Sequence, residues 1–320
     1  MNNRRFILFL AAVLLLAGCQ QVPEIKKTIH ECAAPFEGRA CGMCFSAGDK
    51  AYIATGRVQN GSYSSSMLCY DASADRWTAV ATPLKTRVNG TVCATSKGVF
   101  MGLGYHGYEI YQDTSYLNDW WKYEPATGTW TQLADYPVPK VVGAVSWSDD
   151  EHIWVACGFV KGFTNDVYCY NISTDSWSKA ADSPLRVHSA VAATCQGRHF
   201  FGTGFRNTGH NAWWEFLDDG HYEQRASLPG AGRHNAACAA TEKAVWVFAG
   251  IHYGDTLTTG FYFNDILRYS PEADQWALCG TLPCGTMENG AACAIGNRIY
   301  FGLGEDKNGK LHTHWYYIDD

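Results

Sequence analysis

The sequence predicts an all-β fold, a propeller of six four-stranded blades, from three observations. An apolar strand ending in glycine recurs as "AYIATG" (51–56), "VFMGLG" (99–104), "IWVACG" (153–158), "HFFGTG" (199–204), "VWVFAG" (245–250) and "IYFGLG" (299–304). The closing glycines are 48, 54, 46, 46 and 54 residues apart, too long a period for a helical hairpin and suited to four strands. A Tyr stands seven positions before a Trp in "YDASADRW" (70–77), "YEPATGTW" (123–130), "YNISTDSW" (170–177) and "YSPEADQW" (269–276), with turn-forming residues between. Composition agrees: 47% hydrophobic, 14% aromatic and 32 glycines describe a folded chain rich in turns and strands.

Each unit reads as strand a, made of small residues; strand b, apolar and ending in Gly; strand c, ending in Tyr; and strand d, starting at Trp. Tyr70, Trp77, Tyr123, Trp130, Tyr170, Trp177, Tyr269 and Trp276 flank the c-to-d hairpins, and their rings are expected to fill the widening gap between blades. The fourth unit departs, with Phe216 and Tyr222 in these places. Three copies carry Asn-Asp before strand c: "NDWWKY" (118–123), "NDVYCY" (165–170) and "NDILRY" (264–269). The succession of these elements resembles the kelch repeat, from about residue 29 to the end.

The sixth unit stops at "WYYIDD" (315–320), which supplies strand c and leaves no strand d. An open sheet edge is a liability. At the other end of the chain, "IHECAAPFEGRACG" (29–42) lies without a gap over "WTAVATPLKTRVNG" (77–90), which matches Pro35 to Pro83, Arg39 to Arg87 and Gly42 to Gly90. The N-terminal strand is therefore expected to close the sixth blade.

Before that strand the chain reads as an address. Arg4 and Arg5 precede the apolar run Phe6 to Ala17, shorter than the roughly 20 residues of a spanning helix. "LAGC" then resembles the lipobox of bacterial lipoproteins. The resemblance implies a signal peptide over 1–18, acyl chains on Cys19, a tether over 19–28 and a propeller over 29–320, held at the bacterial cell envelope, at the outer membrane. Removing 1–18 takes away two arginines and no acid, so the formal charge moves from −6 to −8. That balance excludes a nucleic-acid partner. Cys44, Cys93, Cys238 and Cys293 sit in runs of small residues and read as small buried hydrophobes. "CGMC" (41–44) lacks the second cysteine pair of a metal site, the sequence leaves open whether Cys279 and Cys284 pair across a turn, and no metal or cofactor is expected.

In a four-stranded antiparallel blade the b-to-c loops and d-to-a crossings open on one face. The long loops fall there, and variable loops on a rigid frame are where ligands bind. The crossings repeat a base, at Arg39, Arg87, Lys140, Arg186 and Arg233, with Met287 and Glu288 ending the series. Two positions on stand Cys41, Asn89, Val142, His188, Asn235 and Asn289. Cations converging on a funnel suit a carboxylate, although an arginine in a crossing can equally serve loop carbonyls or an acid of the scaffold.

Two functions fit. Exported six-bladed kelch proteins include the N-acetylneuraminate epimerases, or sialic acid mutarotases, and "GEDKNGKLHTH" (304–314) resembles that family in placing Glu305 directly after the blade's glycine. The family's arginine falls here on Lys310 or Leu311, a departure. The resemblance implies a carbohydrate ligand, anionic, with Glu305 or Glu288 and His188 or His234 moving protons. Arg39, Arg87, Lys140, Arg186, Arg206, Arg233, Asn89, Asn235 and Asn289 would hold the sugar. The alternative is a surface module that binds a glycan, or a protein partner on the loop face, without turnover, its aromatics Tyr105, Tyr108, Trp213, Trp214 and Tyr253 stacking on sugar faces. His312 and His314 read as strand or loop residues, and the repeated boxes of the six-bladed sialidases are missing.

Overall fold

The computed structural model describes residues 22–107, 115–138, 141–159, 161–254 and 259–320. The expected signal peptide with Cys19, the loop residue Tyr108 and the crossing residue Lys140 lie outside the described residues. Within them, the chain forms six four-stranded antiparallel sheets and two short ribbons. Blade 1 comprises Met43–Ala47, Lys50–Ala54, Met67–Asp71 and Arg76–Val80. Blades 2 to 5 repeat it from Thr91, Val145, Val191 and Ala237. Blade 6 takes Ala291–Ile295, Arg298–Gly302 and Trp315–Asp319 from the end of the chain, and Ile29–Glu31 pairs antiparallel with the last of these, Ile29 opposite Ile318. Ahead of it, Leu278 in blade 5 takes the Ile25 amide on its carbonyl at 2.9 Å and donates its own amide to Pro23 at 2.8 Å.

Burial explains the strand chemistry. The b strands are covered on both faces, as in Val245–Phe248 where every residue is buried, so they read as unbroken apolar runs. The d strands lie outermost, and in blades 1 and 2 they hold only exposed and half-buried residues. The Tyr-to-Trp phrase fastens one blade to the one before it. In "YNISTDSW" the Tyr170 hydroxyl donates to Asp175 at 2.8 Å, Asp175 accepts the Ala134 amide of blade 2 at 2.8 Å, and the Trp177 indole donates to the Ala134 carbonyl at 2.9 Å. Asp75 and Asp274 repeat this clip with Ala33 and Ala226. Each clip aspartate has φ between 46° and 48°, a left-handed conformation that Asp tolerates. Blade 2 carries Gly128 in place of the clip aspartate, and its Trp130 indole nitrogen is buried without a partner.

Around the axis the six crossings lock together through their peptides. The amide of Cys41 donates to Asn289, Asn89 to Cys41, Gly143 to Asn89, Ser189 to Gly143, Asn235 to Ser189 and Asn289 to Asn235, at 2.8 to 3.2 Å. The circle is closed, with one peptide from each blade. All six residues have φ between 53° and 66°, so each turns its carbonyl toward the next. In blades 3 and 4 the members are Gly143 and Ser189, one position beyond the expected Val142 and His188. Below the circle, the small residues of strand a, among them Thr91, Ser146, Ala192 and Cys238, line a channel of about 210 Å³.

Candidate functional site

The same register that closes the ring builds its mouth. In every blade the glycine after strand b donates its amide to the next blade's crossing: Gly56 to Arg87, Gly104 to Val141, Gly158 to Val187, Gly204 to Arg233, Gly250 to Met287 and Gly304 to Arg39. A side chain here would collide, because a Cβ on Gly304 would lie 2.5 Å from the Glu288 carbonyl oxygen. The residue after each glycine then bridges to its own blade's crossing, which gives the pairs Arg57 with Ala40, Tyr105 with Val88, Phe159 with Val142, Phe205 with His188, Ile251 with His234 and Glu305 with Glu288. One position per blade, repeated six times, decides the chemistry of the mouth.

Blades 5, 6 and 1 make it polar. Glu288 and Glu305 exchange backbone hydrogen bonds of 3.0 Å, which sets their side chains next to each other. Arg57 forms a salt bridge with Glu305, whose other oxygen accepts from Asn289 at 3.1 Å. Glu288 accepts from Asn235 at 2.8 Å, and the Tyr262 hydroxyl lies near it. Burial, reinforced by the charge of Glu305, raises the proton affinity of Glu288 despite the Asn235 bond and the nearby Tyr262 hydroxyl. Two adjacent carboxylates thus stand in different environments, one bound to a guanidinium and one whose proton affinity burial raises. Cys41 lies beside them, and burial followed by the nearby acids pushes its thiol up to about 12.

Blades 3 to 5 make the opposite wall aromatic. Phe163 stacks on His188 with centroids 5.5 Å apart, Phe205 lies 4.9 Å from His234, and His234 lies 4.6 Å from Tyr253. His188 also hydrogen-bonds the Ser189 hydroxyl at 2.8 Å through Nδ1. Burial lowers both imidazoles, His234 to about 4 with further contributions from His188 and His252, so both are neutral at pH 7.

Comparison with known proteins agrees with this architecture. The kelch motif matches residues 142–184, which span blade 3. The N-acetylneuraminate epimerases of Escherichia coli O9:H4 (strain HS) and Shigella flexneri are each 25% identical over 251 residues, 76% of this chain and 60% of theirs. The solved structure of YjhT superposes with a TM-score of 0.72 at 17% identity, covering 90% of this chain and 95% of that one. The chain is a kelch propeller similar to the N-acetylneuraminate epimerases. It spans 60% of the length of the curated relatives it matches.

The kelch propeller brings together some of the residues expected from its sequence and separates others. Glu288, Glu305, Asn235 and Asn289 meet in one hydrogen-bonded cluster. Asn89 belongs to the peptide ring and lines the channel. Arg39, Arg87 and Arg233, expected to hold the ligand, are at most 1% exposed and are occupied inside their own blades. Arg87 forms a two-pronged pair with Asp119 at 2.7 Å on each arm and bonds the Leu103 carbonyl. Arg233 does the same with Asp265 and the Ala249 carbonyl, its guanidinium 3.7 Å from the centre of the Phe263 ring. Arg39 pairs with Glu37 and Ser66. A buried guanidinium needs such partners, and these three bind the scaffold. Arg186 lies one position before Val187, the true equivalent of those arginines, and is exposed, its Nε donating to the Phe163 carbonyl at 2.6 Å. Arg206 is exposed in the ribbon beyond strand b of blade 4.

Trp213, expected as a stacking residue, is fully buried, and Tyr105 is buried as well. His312 and His314 bond the Thr286 carbonyl and Glu31, and among the described residues no group of three or more His, Cys, Asp or Glu is placed for a metal. The cysteines from Cys32 to Cys293, Cys279 and Cys284 included, are all free. Arg57 was missed in the sequence. Its signal was there, because it follows Gly56 as Glu305 follows Gly304.

Proposed function

We propose that this protein interconverts the anomers of a sugar by acid-base catalysis at the mouth of the ring, with N-acetylneuraminate as its substrate. The observation that carries the reading is the carboxylate pair Glu288 and Glu305, one with a raised proton affinity and the other held by Arg57. Mutarotation needs that division of labour. A base takes the proton of the anomeric hydroxyl, the O–H electron pair becomes the carbonyl, the ring C–O bond breaks, and an acid protonates the departing ring oxygen. Glu305 is the base and Glu288 the acid. Rotation about the freed carbon and the reverse transfers close the ring on the other face.

Arg57 has a second consequence. The relatives' motif carries an arginine where this chain has Lys310 or Leu311, and Leu311 is buried against Glu305 through a backbone bridge. The guanidinium beside Glu305 comes instead from blade 1. Two neutral histidines and the aromatic wall enclose the side of the sugar away from the acids.

Freshly dissolved α-N-acetylneuraminate followed by proton NMR tests the reading. Micromolar protein should speed its conversion to the β anomer, and an unchanged rate with retained binding would leave a glycan-binding module instead. The basic N-terminus, its apolar run and Cys19 support placing this activity on a lipid-anchored protein of the bacterial outer membrane. Radiolabelled palmitate incorporated in the wild type and absent in Cys19→Ala would test the anchor.

A further inference from the structure

One member of the aromatic wall is open to solvent. Phe163 and Phe205 are half-buried and covered by their neighbours, whereas Tyr253 leaves 48% of its surface exposed. It is nevertheless held firmly. Phe205 meets it edge-on at 5.4 Å and 89°, and His234 packs against it at 4.6 Å. Its chain neighbours Ile251 and His252 form a two-stranded ribbon with Phe261 and Tyr262, and His252 Nδ1 bonds the Gly232 carbonyl at 2.7 Å. The ribbon also carries Tyr262, whose hydroxyl lies near Glu288. Burial and then the charges of Glu288 and Glu305 raise the Tyr253 phenol, so the ring stands within electrostatic reach of both acids.

An exposed aromatic ring costs nothing to uncover when a ligand arrives, and a supported one loses little freedom on binding. A pyranose offers a matching surface, since the axial C–H groups of one face form a flat apolar patch while the hydroxyls point outward. We propose that Tyr253 is the stacking platform that receives the C–H face of a pyranose and fixes its reactive edge over Glu288 and Glu305. This rests on the acid-base reading for the reacting edge, but the platform itself requires only that a pyranose binds. It is a specificity-determining residue and takes no part in proton transfer.

The test uses two probes and two variants. Methyl α-glycoside of N-acetylneuraminate cannot open its ring, so saturation-transfer NMR with it reads binding apart from turnover. The platform predicts saturation concentrated on the ring C–H protons, retained in Tyr253→Phe and weakened roughly 5- to 10-fold in affinity in Tyr253→Ala. With free N-acetylneuraminate, Tyr253→Ala should raise KM by a similar factor, leaving the Glu288-dependent pH profile in place. Because Tyr253 is half exposed, its truncation leaves no core cavity, and an unchanged melting temperature checks that. The platform is overturned if Tyr253→Ala binds as tightly as the wild type, if Tyr253→Phe is as weak as Tyr253→Ala, or if the glycoside does not bind. Glycoside stacking with no acceleration of anomer exchange would support the platform and sink the acid-base reading alone.

Discussion

Arg57 in the first blade reaches Glu305 in the sixth, 248 residues along the chain, and the ion pair spans the junction between the first and last blades. The contact ties the packing of these two blades to the position of the carboxylate proposed as the base. Truncating Arg57 to Ala should therefore act twice. Activity should fall about 100-fold, the scale of a lost general base, because Glu305 loses the partner that orients it. Stability should fall by roughly 1–3 kcal/mol, the worth of a charged hydrogen bond in a half-buried site. Urea titration and anomer-exchange rates of Arg57→Ala and Arg57→Lys read both, and the Lys variant should recover part of the rate.

Glu288 gives the pH dependence. Its folded-state affinity for a proton is raised above the ordinary value, so the folded protein is favoured below the ordinary carboxylate range and loses that advantage as pH rises through the raised value. Glu288→Gln cannot ionise. Its melting temperature, relative to wild type, should climb between pH 4 and pH 8, whereas a flat difference would mean that Glu288 titrates as an ordinary surface acid. Wild-type activity should decline on the alkaline side of the same transition.

The crossing arginines separate scaffold from site. Arg233→Ala would leave the mostly buried Asp265 without its two-pronged partner, and Arg87→Ala would do the same to Asp119, which burial raises but the bonds and charge of Arg87 hold below the usual carboxylate range. Each should cost about 3–5 kcal/mol of stability. At a temperature where the variants stay folded, affinity for the glycoside should be unchanged. A loss of binding without loss of stability would return these arginines to the site.

The legible and illegible parts of this molecule differ in range. The six strand-b glycines and the Tyr-to-Trp phrases are local patterns, and they gave the blades and their packing directly. The phrases also hold the clip aspartates Asp75, Asp175 and Asp274, whose partners in the preceding blade no local pattern reveals. The arginines were misplaced because a cation in a crossing looks the same whether its acid is a ligand or a neighbour. The deciding clue was already in two Asn-Asp phrases, since Asp119 and Asp265 fall in the same blades as Arg87 and Arg233. Lys140 and Arg186 entered the series through a one-residue slip. Only the ring of peptides fixed by Gly143 and Ser189 sets that register. Arg57 stayed hidden because its meaning depends on Glu305 at the far end of the chain.

If Glu288 and Glu305 share the work of opening a sugar ring, turnover requires both carboxylates. The most direct measurement is the rate of α-to-β exchange of N-acetylneuraminate by NMR, compared among wild type, Glu305→Gln and Glu288→Gln under conditions where all three are folded and bind the methyl glycoside. Wild type should accelerate the exchange, and each variant should lose about 100-fold or more. Equal rates in all three proteins would contradict it.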